Sequence, residues 1–221
     1  MALPHEEKPL GLQIPAVPLG AEIPPEPPDV GARALSVAAR LLAGASVFFF
    51  LAFVFAYFYL RSLNVQHMWK PAHVKPEQGL GAAFAACILL SALAMFVAGR
   101  QFKRGEGAWT VPAGIGLGLG LVAIALQCVE YTVQKFGPTD GAYASVFCAW
   151  TGTYLLAALG TMYWLETNIA SELRARREPA HSEGDIKDPD RLIAPGIDAA
   201  VFYWGFLAAI GLLMWVVLYL L

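Results

Sequence analysis

Residues 111–133 read VPAGIGLGLGLVAIALQCVEYTV, a run with a single acidic or basic residue, Glu130. The hydrocarbon core of a bilayer is ~30 Å thick and takes ~20 residues of helix at a rise of ~1.5 Å each. This stretch meets that length and leaves no room for an amphipathic face turned to water. Working outward, four more runs have the same character: 33–63, uncharged between Arg40 and Arg61, then 79–99, 141–170 and 196–221. The expected fold is therefore all-α, a polytopic membrane bundle of five transmembrane helices forming one domain over residues 33–221.

Composition agrees. The chain has 221 residues, of which 57% are hydrophobic and 14% charged, and a mean hydropathy of +0.55; soluble domains carry roughly one quarter charged residues. A formal net charge of -2 leaves no basic field for nucleic acid. Residues 1–32 hold eight of the fifteen prolines and lack the basic start and short apolar core of a signal peptide. They are expected to stay in the mature protein, as a polyproline-like strap on a partner or a disordered leader.

The positive-inside rule sets direction, because short cytoplasmic loops collect Lys and Arg. Lys8, Arg33 and Arg40, then Arg100, Lys103 and Arg104, then Arg174, Arg176, Arg177, Lys187 and Arg191 fall on one side; Arg61, Lys70, Lys75 and Lys135 fall on the other. Eleven against four places the N-terminus inside and the C-terminus outside. The connection from Glu172 to Asp198 mixes bases and acids and is too polar for a core of its own.

Buried redox centres use imidazole or thiolate ligands. His5, His67, His73 and His181 all lie outside the spans, and Cys87, Cys128 and Cys148 sit singly in apolar runs without a C-x-x-C pair. No metal or cofactor site of this chain's own is expected. The glycine run 114–120 has Leu119 where a dinucleotide fingerprint needs its third glycine. Its pairs Gly114/Gly118 and Gly116/Gly120 instead suit close helix packing in lipid.

Few polar groups remain in the spans. Gln127, Glu130 and Gln134, three and four apart, form one stripe on the third helix. Glu130 lies about 8 Å from the outer surface by helical rise and is expected to be partly hydrated. Arg61 closes the first helix, where it can reach headgroups. Asp140 begins the turn into the fourth helix, and Glu166 is expected to pair with the cluster Arg174, Arg176 and Arg177. Arg61, Gln127, Glu130 and Asp140 are thus the candidate lipid or inter-helix polar contacts. Phe50, Phe53 and Tyr57, and Tyr143, Phe147, Trp150 and Tyr154, recur at helical spacing as packing faces.

Several of these stretches resemble haem-copper oxidase subunit III, in its five-helix bacterial form. The first helix ends in FFLAFVFAYFYLR (49–61), the third has Gln127-Cys128-Val129-Glu130-Tyr131, and the turn into the fourth reads TDGAYASVF (139–147) followed by Thr151-Gly152. Leu159-Gly160-Thr161 and Phe202-Tyr203-Trp204 continue the likeness, which runs from Arg33 to Leu221. The chain departs from the family pattern where Ser46 replaces a glutamate, Tyr154 and Ala157 replace two histidines, and Gly205 and Ala208 replace a histidine and an aspartate.

The resemblance implies an accessory, non-redox subunit docked on the catalytic subunit I among other oxidase subunits. Haem and copper would reside in those partners, which reduce oxygen and pump protons. Structural phospholipid would lie in a cleft between the first two helices and the last three. It implies a multi-pass protein of the bacterial plasma membrane, possible membership of a respiratory supercomplex, and no catalytic residue here. The rival readings are a nitric-oxide-reductase-associated subunit of the same family, a structural supercomplex subunit, and a small membrane carrier; the spans lack the interrupted helix pair or charged ring of a carrier.

Overall fold

Where an apolar run ends, the chain must reverse, and two glycines do this with backbone that other residues avoid. Gly105 takes φ +71° just past the second helix, where Gly105 N–H donates to the Phe102 carbonyl and Glu106 N–H to the Gln101 carbonyl, a Schellman closure. Gly141 takes φ +121° and releases the chain into the fourth helix.

The computed structural model describes residues 28–64, 69–176 and 190–221. The elements are α1 (Pro28–Ser62), α2 (Gln78–Lys103), a 3₁₀ turn (Gly107–Trp109), α3 (Thr110–Val133), α4 (Ala142–Ala175) and α5 (Asp190–Trp215), which widens into a π turn (Val216–Leu220). Among the described residues there is no strand. All five long helices have the length and composition to cross a membrane, so the fold is a polytopic all-α bundle. α1 begins five residues inside the segment read as tail, and α4 and α5 extend into the polar connection between them. Tail residues 1–27, His5, His67, His181 and loop residues 177–189 lie outside the described residues.

Helices consecutive in sequence run in opposite directions. One end of the bundle, here the basic end, gathers the start of α1, the end of α2 and the start of α5; the far end gathers the start of α2, the end of α3, the start of α4 and the end of α5. α5 is the central helix: 50% of its apolar window is buried, against 17% for α1. α2 packs along α3 and α5, while α1 lies on α5 and α4 and hardly touches α2.

Lipid tails are as apolar as leucine, so helices in a membrane associate through close packing and hydrogen bonds. The α1–α4 seam is aromatic: Phe50 meets Tyr154, Phe53 stacks on Trp150 with centroids 5.9 Å apart, and Tyr57 meets Tyr143 and Trp69. The four α4 aromatics expected to form a packing face are all buried. The glycine run divides its work. Gly116 admits the Met95 side chain and Gly120 admits Met162 and Trp204, whereas Gly114 and Gly118 face open space.

Candidate functional site

The polar groups of the bundle bond helix to helix at several levels. Midway, Ser91 of α2 donates to the Gly116 carbonyl of α3 at 2.6 Å and accepts from Trp204 Nε1 of α5 at 3.1 Å. On α4, Tyr154 donates to the Leu207 carbonyl of α5 at 2.9 Å, in space that Gly211 leaves. Tyr131 of α3 donates to Thr151 of α4 at 2.6 Å. Two departures from the family pattern are absorbed in this way: Tyr154 finds a carbonyl, and Ser46 pairs with the Tyr203 hydroxyl at 2.8 Å.

The far end holds the densest cluster. Glu130 is fully enclosed, not partly hydrated as its depth suggested, because Tyr219 from the π turn of α5 folds over it. Glu130 Oε2 accepts from the Tyr219 hydroxyl at 2.5 Å and from Gln127 Nε2 at 3.0 Å. Gln78 at the start of α2 donates to the Tyr219 carbonyl at 2.8 Å, and Tyr143 of α4 donates to the Leu218 carbonyl at 2.5 Å. Gly81 makes the site possible, since a Cβ there would collide with the Tyr219 ring. Three helices therefore meet on one turn of α5. Among the described residues, Oε1 of Glu130, Gln127 and Gln134 have no hydrogen-bond partner.

Beside this cluster lies the loop between α1 and α2. Trp69 and Val74 are buried, and the Trp69 carbonyl accepts from Tyr143 N–H. Lys70 Nζ stands 4.1 Å from the centre of the Tyr143 ring, and the Arg61 guanidinium lies 5.9 Å from that of Tyr57. Partial burial, and then the charges of Arg61 and Lys75, push the Lys70 ammonium below the usual lysine pKa.

The basic end is open. Where α1 and α2 part, a cleft of about 910 Å³ is floored by α5. Arg33, Ser36 and Arg40 of α1, Phe96, Gly99, Arg100 and Lys103 of α2, and Asp198, Phe202, Gly205 and Phe206 of α5 line it. Lys103 is held by Asp198 at 2.7 Å, and the Arg100 guanidinium lies 4.4 Å from the Phe96 ring centre. The opening thus separates α1 from α2. The cleft is bounded by the first two helices and α5, while elsewhere α2 packs against α3 and α5 and α1 against α5.

Of the four candidate residues, the structure brings Gln127 and Glu130 into one inter-helix cluster. Arg61 remains exposed at the end of α1 and touches its own helix neighbour Tyr57. Asp140 accepts from Gly137 N–H at 2.7 Å and shapes the local turn. Glu166 is exposed, and among the described residues Glu172 meets the basic cluster, 2.6 Å from Arg176 Nε. Glu166 stands ten residues before Arg176, about 15 Å along the helix. Gln78, Gly81, Tyr143 and Tyr219 were missed as members of the far-end cluster, and Arg40 and Arg100 as the rim of one cleft.

The structure defines a multi-pass helical membrane protein whose buried polar groups tie helix to helix. Among the described residues, no three His, Cys, Asp or Glu side chains gather as a metal site. Comparison with known families then identifies the class: cytochrome c oxidase subunit III matches residues 31–221, and the chain belongs to that family. Similar proteins include the cytochrome c oxidase subunit 3 of Ornithorhynchus anatinus, 26% identical over 79% of this chain and 65% of the relative. Those of Cyprinus carpio, at 24% over 81% and 66%, and Marchantia polymorpha, at 28% over 79% and 64%, are also similar. The chain spans just under two thirds of the length of these relatives.

Proposed function

We propose that this chain is the accessory, non-redox subunit III of a haem-copper terminal oxidase. It docks beside the catalytic subunit, stabilises it during turnover and holds phospholipid. The observation that carries the reading is the family match over residues 31–221, nearly the whole of the described bundle. The exposed aromatic flank of α1 supports it: Phe48 is 79% exposed and Phe55 70%, leaving a broad apolar face for lipid or for a neighbouring membrane subunit. Oxygen reduction, haem and copper belong to the partner subunits in this reading. The proposed setting is a bacterial plasma membrane, with the basic end of the bundle facing the cytoplasm.

Purification through a tag on this chain in mild detergent tests the proposal. A reduced-minus-oxidised haem spectrum together with a co-purifying multi-helix subunit is the expected result. A colourless chain that elutes alone in several detergents would overturn it.

A further inference from the structure

From the loop between α1 and α2 we infer a docking surface for an acidic extramembrane segment of a neighbouring protein, with Arg61, Lys70 and Lys75 as its contact residues. The surface goes beyond the oxidase reading and does not rest on it. Residues 65–68 of the loop lie outside the described residues and form no part of it.

Charge is the first ground. The far end is the base-poor end of the bundle, yet three of its four bases, Arg61, Lys70 and Lys75, gather within residues 61–75. All three are exposed, as is His73. Among the described residues no acid forms an ion pair with any of them; Arg61 meets Tyr57, and Lys70 meets the Tyr143 ring. The acids of this end are Glu77, exposed before α2, and Asp140, which is engaged by Gly137 N–H. Burial first, and then the charges of Arg61 and Lys75, lower the Lys70 pKa, so Lys70 lies within electrostatic range of both. An anion placed among them would relieve that repulsion.

Rigidity is the second ground. Charges that are already held in place lose less freedom on binding than charges on a loose chain. Lys70 and Lys75 each follow a buried anchor, Trp69 and Val74. Trp69 N–H donates to Asn64 Oδ1 at 3.1 Å, its carbonyl accepts from Tyr143 N–H at 3.0 Å, and Val74 N–H donates to the Pro71 carbonyl at 2.9 Å. The Trp69 ring meets those of Tyr57 and Tyr143 edge-on.

The third ground is position, which separates a protein partner from the membrane. Lipid headgroups surround a bundle and can reach Arg61 at the end of α1. Lys70 instead stands over Tyr143, which packs on Tyr57 of α1 and donates to the Leu218 carbonyl beyond α5. Its ammonium therefore lies over the end of the bundle rather than along its flank. Three cations without acids of their own repel a basic partner and fit a run of Asp or Glu.

The test keeps the full chain in its native membranes and adds a water-soluble carbodiimide, which joins a lysine amine to a carboxylate only where the two are in contact. Coupled peptides are then identified by mass spectrometry. Lys70 or Lys75 should couple to an Asp or Glu of a second polypeptide, and the coupling should be lost in about 1 M salt, where charges act over only about 3 Å. Arg61→Gln removes a cation that cannot itself be coupled, and it should lower the yield at both lysines roughly 1.4- to 5-fold, the range of one exposed ion pair. Lys135→Gln should leave the yield unchanged. The Lys103–Asp198 pair, at 2.7 Å, is the internal control. Coupling of that pair, with Lys70 and Lys75 joined to nothing or only to Glu77 or Asp140 of this chain, would overturn the surface and leave the loop to water or lipid headgroups. So would a yield at the two lysines that ignores both salt and Arg61→Gln.

Discussion

The two ends of this bundle solve the same problem differently. At the far end, α2, α3, α4 and α5 converge on Tyr219, and each supplies a polar group or a missing side chain that lets the others approach. At the basic end, α1 and α2 separate into a cleft. Hydrophobicity does not draw helices together inside a membrane, so the distribution of small residues and hydrogen bonds decides where a bundle closes. What stays open is left unfilled by protein.

The largest expected effect comes from breaking the closed end. Glu130→Ala removes the acceptor of both Tyr219 and Gln127 and leaves a cavity under the Tyr219 ring; loss of about 2–4 kcal/mol of stability follows, read as a lower Tm in detergent. Gly81→Ala should cost about 1–3 kcal/mol by driving a methyl into that ring. Tyr219→Phe keeps the ring and loses one hydrogen bond, for a cost near ~0.6 kcal/mol and at most about 1.7. If Tyr219→Phe proved as damaging as Glu130→Ala, the ring packing would not share the load with the hydrogen bond.

At the open end the same measurement should hardly move. Arg40→Gln, Arg100→Gln and Gly205→Leu are expected to leave Tm in lipid-free detergent unchanged. The smallest effect concerns Lys70. Its lowered pKa means that the folded chain holds that proton less tightly than the unfolded chain does. The penalty is complete at pH values below the folded pKa and fades as the pH rises from there to the ordinary lysine pKa of the unfolded chain. Lys70→Met should therefore stabilise slightly at neutral pH, and the gain should vanish in alkaline buffer; a gain that persisted there would point to packing rather than charge.

Much of the closed end could be read in the sequence, and little of the open end. Five uncharged runs of membrane length identify the helices. The spacing of Gln127 and Glu130, and of the α4 aromatics, places each set on one face. Tyr219, however, lies 89 residues from Glu130, and no local pattern couples them. Gly81 is one of twenty-one glycines, distinguished only by the ring that fills its space. The cleft depends on where α1 leaves α2, a consequence of side-chain fit across α5 that no periodicity records. Glu166 was paired with the basic cluster by proximity in sequence, whereas helical rise puts Glu172 one turn from Arg176.

The contrast can be measured in one sample. With Cys87, Cys128 and Cys148 replaced by alanine, a nitroxide is placed at position 205 in the cleft or at Ala85, which is 4% exposed in α2. Collision with oxygen dissolved in the lipid is then compared between the two sites. Fast relaxation at position 205 and slow relaxation at position 85 are the predicted result. Equal protection at both sites would mean that α1 and α2 close along their whole length, and the open cleft would have to be abandoned.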